Sequence, residues 1–196
     1  MYRSRLNALR VYIVFILVVN STIIATAQEV VREIGDVVQI AIPLTGLGIS
    51  LATSDKDGTY QIVQSMAVQT VTTHLLKRTI KRRRPNGSKY SFPSGHTSLS
   101  FMGSTFLWKR YGWKYGVPAT LAASFVGYSR AGINDPVHHP SDVFAGAAIG
   151  ILSSFIFTKV KDSDNRVDII GDSSFVGLKL NLNLTRNKNK EFISIE

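Results

Sequence analysis

The sequence predicts an all-α protein, a bundle of five to six mostly apolar helices followed by a short β-like C-terminal tail. Two observations lead to this fold class. Long apolar stretches separated by polar turns recur along the first 160 residues, and apolar and polar residues alternate with period two at 176–184. A length of 196 residues suits one domain with a substantial core.

The first 27 residues have the layout of a secretory signal. Three arginines lie within the first ten residues, an apolar run covers 11–19, and Ala25-Thr26-Ala27 is a small-x-small cleavage site. An uncleaved anchor helix over 11–27 is the alternative, at the short limit for a membrane span. We therefore expect a signal peptide or anchor at 1–27, the helical domain at 28–162 and a separate polar tail at 163–196.

The helices after the signal region are predicted in the order of the chain. The first contains Pro43 and two glycines, which neighbouring helices tolerate when they cover the backbone. The third carries Ser, Thr and Gly on one side, a face that lets helices approach closely. The tail is expected to be a short exposed hairpin or partly ordered, with a docking or dimer-forming edge as the alternative. The predicted helices cover residues 37–54, 60–82, 94–110, 116–130 and 142–159.

The formal net charge is +10, and seven of the 23 basic residues fall between Lys77 and Lys89. The apolar helices around them lack the interleaved aromatic and basic residues of a nucleic-acid groove, so we expect a local anion site and no nucleic acid. The absence of cysteine excludes disulfides and thiolate metal sites. Counting the predicted membrane crossings from a cytoplasmic N-terminus places the basic residues between Lys77 and Lys89 outside the cytoplasm. This location goes against the positive-inside preference, and the exception favours a chemical role for these residues.

Basic residues precede a histidine-containing helix start. Lys77, Lys81 and Arg84 are spaced i, i+4, i+7, which on a helix would put all three on one face able to neutralise a phosphate. The alternative is a solvated or headgroup-facing basic face. Ser94-Gly95-His96 places a capping residue, a glycine and a histidine where a helix N-terminus favours an anion. His96 could protonate a leaving oxygen there, or Ser94 could be an ordinary N-cap beside an exposed histidine.

A second histidine is paired with a carboxylate. His138 and Asp142 are spaced i, i+4, and a carboxylate on one ring nitrogen would leave the other as a nucleophile. His139 competes for this role at i, i+3 and is expected to be a neighbour. His74, one turn before Lys77, is expected to be structural or interfacial.

Taken together, these residues resemble a family signature. Lys77-x6-Arg84-Pro85, Pro93-Ser94-Gly95-His96, Ser129-Arg130 and His138-x3-Asp142 are similar to the three motifs of the type 2 phosphatidic acid phosphatase (PAP2) family, which class A acid phosphatases and vanadium haloperoxidases share. The resemblance implies a helical bundle and a phosphatase that uses no metal or cofactor and forms a phosphohistidine intermediate. It implies that His138 attacks phosphorus, that Asp142 orients the His138 ring, and that His96 protonates the leaving group. The phosphoryl oxygens would be bound by Lys77, Arg84, Arg130, Ser94 and Gly95.

The sequence departs from that signature in two places. Seven residues separate Arg130 from His138, where the family usually has five, so the loop must bulge. The gap between Pro85 and Pro93 is short, which suggests an open site that bulky lipid headgroups can reach.

The sequence therefore predicts a membrane lipid phosphatase of the bacterial inner membrane or periplasm, with its site facing the periplasm. Its expected partners are the membrane and a phosphorylated lipid such as undecaprenyl diphosphate, phosphatidate, phosphatidylglycerol phosphate or lipid A phosphate. The alternatives are a periplasmic acid phosphatase on soluble esters, a vanadium haloperoxidase and a non-catalytic lipid-binding protein. The lipid and the oligomeric state stay open.

Overall fold

The computed structural model describes residues 28–132, 136–161, 165–172 and 175–182. The all-α fold class is confirmed, with five helices in the described ranges. The predicted signal or anchor at 1–27 lies outside the described residues. The helices are α1 (Gln28–Ala52), α2 (Lys56–Ile80), α3 (Gly95–Tyr111), α4 (Trp113–Ala131) and α5 (Pro140–Phe157).

Most helix boundaries agree with the sequence prediction to within a few residues. Ser94 is the N-cap of α3, as expected. The largest difference is at the start of α1, which already covers Gln28 rather than beginning at residue 37. The turn between α3 and α4 is also tighter than predicted. Gly112 alone separates these helices, with a φ of 89° that a glycine adopts without strain.

The predicted helix face carrying Lys77, Lys81 and Arg84 is wrong, because α2 ends at Ile80. Lys81 is the C-cap of this helix, with a left-handed φ of 50° and its N–H bonded to the carbonyl of Lys77. The chain therefore leaves the helix axis before it reaches Arg84. Only Lys77 projects from the helix itself.

Helix α3 is the centre of the bundle and packs against α2, α4 and α5. Its Met102 and Phe106 are fully buried, and Ile62 of α2 and Ala123 of α4 complete this part of the core. A glycine of α5 permits a close contact with the start of α3. A Cβ atom at Gly146 of α5 would lie 2.5 Å from the carbonyl oxygen of Ser94, so α5 reaches the start of α3 only because position 146 is glycine.

Two described helices, α1 and α5, are long and apolar enough to cross a membrane. Large apolar side chains are exposed on their outer surfaces, including Val37 and Leu44 of α1 and Phe144 and Ile156 of α5. A lipid bilayer would cover such surfaces. These features indicate a membrane protein.

The described residues from Val160 onward form a unit separate from the helical bundle. Within it, strands β1 (Asn165–Asp172) and β2 (Phe175–Leu182) pair antiparallel, with Asn165 opposite Leu182 and Asp172 opposite Phe175. The predicted strand at 176–184 corresponds to β2, and its last two residues lie outside the described ranges.

Candidate active site

The sequence motifs meet where the C-terminal ends of α2 and α4 lie beside the N-terminal ends of α3 and α5. The Ser94 N–H donates to the carbonyl of Asp142 at 2.9 Å, which joins α3 to α5. The N–H of His138 donates to the carbonyl of Arg130 at 3.0 Å, which joins the start of α5 to α4. Residues far apart in the chain are thereby fixed by backbone contacts.

His138 and Asp142 are both buried, at 1% and 0% exposure. Their closest atoms, Nδ1 and Oδ2, lie 3.7 Å apart, beyond ordinary hydrogen-bond length. The hydroxyl of Ser91 lies between them. It donates to Oδ2 of Asp142 at 2.5 Å and is 3.5 Å from Nδ1 of His138. Ser91 therefore links the carboxylate to the ring, and Nε2 of His138 has no hydrogen-bond partner among the described residues.

Asp142 is held by two further donors. Nη1 of Arg82 donates to its Oδ1 at 2.9 Å, and the N–H of His139 donates to its Oδ2 at 3.0 Å. The side chain of His139 turns elsewhere, with Nε2 3.2 Å from the carbonyl oxygen of Arg83. This geometry favours His138 over His139 as the histidine of the site.

The pKa of His138 is lowered from 6.5 to about 4. Burial is the largest cause, because it disfavours the charged imidazolium, and the cations of Arg84 and Lys77 add to it. Asp142 opposes this shift. The ring is therefore neutral near pH 7, the form in which a nitrogen carries a lone pair for attack.

Lys77 organises the loop between α2 and α3. Its Nζ donates to the carbonyls of Tyr90 at 3.0 Å and Pro93 at 2.6 Å. The ammonium thus lies immediately before the Ser94-Gly95 helix start. It supplies positive charge there while tethering the loop that carries Ser91.

At the start of α3, the predicted phosphate ligands Ser94 and Gly95 differ in whether an anion could approach them. Ser94 is fully buried, and its hydroxyl is 2.9 Å from that of Thr97, so this side chain caps the helix. Gly95 is less crowded. A Cβ atom there would make ordinary contacts, 3.7 Å to Thr73 and 3.8 Å to Lys77. An approaching anion would therefore meet the Gly95 backbone, whose first-turn N–H points out of the helix end.

Arg84 and Arg130 each carry a side-chain donor without an acceptor in the part of the chain that the structure describes. Nε of Arg84 and Nε of Arg130 are buried and have no hydrogen-bond acceptor among the described residues. Buried guanidinium N–H groups are costly to leave unpaired. A tetrahedral oxyanion supplies several acceptors at once, so these two donors favour an anion site beside His138.

His96 is joined to this arrangement by a residue of α1. Oδ1 of Asp36 lies 3.0 Å from Nε2 of His96 and 2.7 Å from Nη2 of Arg130. His74, in contrast, is exposed, and its Nδ1 is 2.9 Å from the carbonyl of Thr70 in its own helix. It takes no part in the site, as expected.

Sequence reasoning missed Asp36, Arg82 and Ser91. Ser91 lies just before the Pro93-Ser94-Gly95-His96 motif, where a buried hydroxyl has no distinctive spacing. Arg82 is one of several adjacent arginines, and only the fold selects it. Asp36 offered one signal, an acidic residue at the edge of a long apolar segment.

Within the described ranges, no three His, Asp or Glu side chains are grouped so that they could hold a metal ion. The donors that converge here are cations and N–H groups, which suit an anion and not a cation. Metal independence stays a prediction.

The fold and site define a helical-bundle protein in which a buried histidine lies among basic side chains at one end of the bundle. The sequence profile of the PAP2 superfamily matches residues 59–166. This match covers more than half of the chain, and the chain belongs to the PAP2 superfamily. The predicted family is confirmed.

Individual relatives are consistent with this family. A lipid A 1-phosphatase of Helicobacter pylori is 27% identical over 149 residues, 68% of this chain and 70% of the relative. A lipid A 1-phosphatase of Porphyromonas gingivalis is 42% identical over 80 residues, 39% of this chain, and the match spans 18% of that longer protein. The crystal structure of a transmembrane PAP2-type phosphatidylglycerolphosphate phosphatase from Bacillus subtilis superposes with a TM-score of 0.54 at 25% identity. It covers 67% of this chain and 74% of that one.

Proposed function

We propose that the protein is a metal-independent phosphatase that hydrolyses a phosphomonoester or diphosphate of a membrane lipid. The observation that carries this proposal is the buried, neutral His138, whose Nε2 has no hydrogen-bond partner among the described residues, in a site where Arg84 and Arg130 each carry a buried Nε donor without an acceptor. A nucleophile and an anion site in one place are what phosphoryl transfer requires.

The chemistry divides into two displacements. Nε2 of His138 attacks phosphorus, the bond to the leaving oxygen breaks, and His96 gives that oxygen a proton. Water then attacks the phosphohistidine, His96 takes a proton from the water, and phosphate leaves with His138 restored. Arg84, Arg130 and Lys77 offset the charge on the phosphoryl oxygens in both steps.

The lipid is proposed from the surroundings and the relatives. The exposed apolar faces of α1 and α5 suit a substrate that is held in a bilayer. The relatives described above are named for lipid A and for phosphatidylglycerol phosphate. We therefore propose lipid A 1-phosphate and phosphatidylglycerol phosphate as the first substrates to test, followed by phosphatidate and undecaprenyl diphosphate.

The test is phosphate release by the purified protein in EDTA, from these lipids and from soluble esters. Turnover of lipids should be unaffected by the chelator, and His138→Ala should lower it by at least about 10³-fold because the nucleophile is lost. His139→Ala is the matched control and should keep most of the activity. Chelator-sensitive turnover, full activity in His138→Ala, or hydrolysis of soluble esters alone would contradict the proposal.

We also propose that the site faces away from the cytoplasm. The opposite end of the bundle carries Lys109, Arg110 and Lys114, and cytoplasmic loops are rich in such residues. The chain has no cysteine, so single cysteines at exposed Asn86 and Lys114 can be labelled without background. In intact spheroplasts, a membrane-impermeant maleimide should modify Asn86→Cys and spare Lys114→Cys. The reverse pattern would contradict the orientation.

A further inference from the structure

Helix α1 contributes a side chain to the site, although it lies outside the stretch 59–166 that defines the family match. Gly35 makes this approach possible. A Cβ atom at position 35 would lie 2.9 Å from Nη2 of Arg130 and closer still to Oγ of Ser129. The helix therefore contacts α4 at the signature residues, and the next residue, Asp36, lies over the site.

The Asp36 carboxylate contacts two groups of the proposed mechanism through one oxygen. Its Oδ1 is 3.0 Å from Nε2 of His96 and 2.7 Å from Nη2 of Arg130. The carbonyl of Arg32, one turn earlier in α1, accepts from the same Nη2 at 3.1 Å. Asp36 and Arg32 thus fix one edge of the guanidinium and one nitrogen of the imidazole.

The other nitrogen of His96 is left for chemistry. Nδ1 has no hydrogen-bond partner in the part of the chain that the structure describes. A carboxylate on one ring nitrogen favours the tautomer that keeps hydrogen on that nitrogen. With Nε2–H directed to Asp36, Nδ1 is the nitrogen that exchanges its proton. Burial, followed by the charge of Arg130, lowers the pKa of His96 to about 4, and Asp36 opposes this shift, so the negative charge of a bound phosphate is needed to favour the protonated ring.

We propose that Asp36 is a positioning residue that holds His96 so that Nδ1 delivers the proton to the leaving oxygen. This inference rests on the proposed phosphatase function. As the bond from phosphorus to the leaving oxygen breaks, its electron pair stays on that oxygen, which takes the proton from Nδ1. His96 is then neutral, with Nε2–H still bonded to Asp36, ready to accept a proton from water in the second displacement.

A carboxylate beside an arginine could instead block the anion site. The contacts oppose this interpretation, because Asp36 engages only Nη2 of Arg130. Nε of Arg130 and Nε of Arg84 remain without acceptors among the described residues. The side chain of Asp36 is also 52% exposed, at the rim of the site and not in its buried part.

The experiment compares leaving groups in the wild type, Asp36→Asn and Asp36→Glu. The first-step rate is measured in single turnover with an alkyl phosphate, whose leaving oxygen needs a proton, and with 4-nitrophenyl phosphate, whose leaving group does not. Asp36→Asn should slow the alkyl phosphate about 100-fold and the nitrophenyl ester less than about threefold, with KM little changed, because only general-acid catalysis is impaired. Asp36→Glu should recover part of the loss. Glu33→Gln, exposed one turn earlier in α1, is the matched control.

A double-mutant cycle with His96→Ala completes the test. Asp36→Asn should have almost no further effect once His96 is absent, because the two residues act as a unit. Equal loss with both esters, additive losses in the cycle, or faster turnover in Asp36→Asn would each overturn the inference while leaving the phosphatase proposal intact. A wild type without turnover on these esters and on the lipid phosphates named above would overturn the phosphatase proposal itself.

Discussion

Two buried arginines near opposite ends of the bundle differ in how their donors are used. Arg110, in the last turn of α3, donates from Nε to Oδ2 of Asp55 at 2.9 Å and from Nη2 to the other carboxylate oxygen. Its Nη1 donates to the carbonyl of Lys159 at 3.1 Å, and the hydroxyl of Tyr111 also donates to Asp55. Arg130 is equally buried, but its Nε has no acceptor among the described residues.

The comparison shows that burial alone does not identify a binding site. The Arg110 cluster is closed, since the protein itself supplies the acceptors, and the hydrogen bond from Arg110 holds the pKa of Asp55 well below its usual range. The Arg130 cluster keeps an Nε donor without an acceptor among the described residues, so a ligand or water can satisfy it. Changes to the closed cluster should therefore lower stability, and changes to the open one should lower activity.

The largest effect is expected from Asp55→Asn. Asparagine still caps α2, but it leaves the charge of Arg110 buried without a counter-ion, which should lower the free energy of unfolding by about 3–5 kcal/mol. Thermal unfolding in detergent measures the change, and exposed Asp57→Asn is the control. An unchanged midpoint with lost activity would contradict a stabilising role for the pair of Asp55 and Arg110.

Arg130→Lys should instead lower activity more than stability. Lysine keeps the charge and removes the Nε donor, so kcat/KM should fall about 10²–10³-fold through lost stabilisation of the phosphoryl charge. The unfolding midpoint should change less than in Asp55→Asn. Arg83→Lys, at an exposed position in the basic stretch between Lys77 and Lys89, should match the wild type. A large loss of stability with normal kcat/KM would place Arg130 with the structural arginine.

Ser91→Ala tests the hydroxyl between Asp142 and His138. In this variant Asp142 keeps its bonds from Arg82 and from the His139 N–H and loses one hydrogen bond. We therefore expect kcat to fall about tenfold, with KM little changed. Ser88→Ala, in the same loop, removes an exposed hydroxyl that bonds Asn86 and should have no effect. A kcat equal to the wild type would show that Asp142 orients the ring without Ser91.

The smallest expected effect is a shift in the pKa of His138. The lowered pKa of His138 predicts a ring that is neutral above about pH 4 and protonated below it. NMR titration of the free protein, assigned with His138→Ala, should give a midpoint near 4. Arg84→Gln removes a cation that lowers this pKa, so its midpoint should move to higher pH. A midpoint near 6.5 in the wild type would contradict the buried, cation-flanked site.

The sequence predicts the helices and the motif residues because apolar runs and fixed spacings are local properties. Prediction from the sequence fails where the chain leaves a helix. The i, i+4, i+7 pattern of Lys77, Lys81 and Arg84 assumes a continuous helix, whereas the left-handed C-cap at Lys81 redirects the chain. It also fails for Asp36, whose contact with His96 depends on tertiary packing at Gly35, which no local pattern records.

Two peptide groups close the loop between α4 and α5 at its base. The N–H groups of Val137 and His138 both donate to the carbonyl of Arg130, at 3.1 and 3.0 Å. These two hydrogen bonds fix the backbone of His138 relative to Arg130 at the base of the loop. Substitutions elsewhere in this loop should therefore leave His138 in place as long as both hydrogen bonds to the Arg130 carbonyl form.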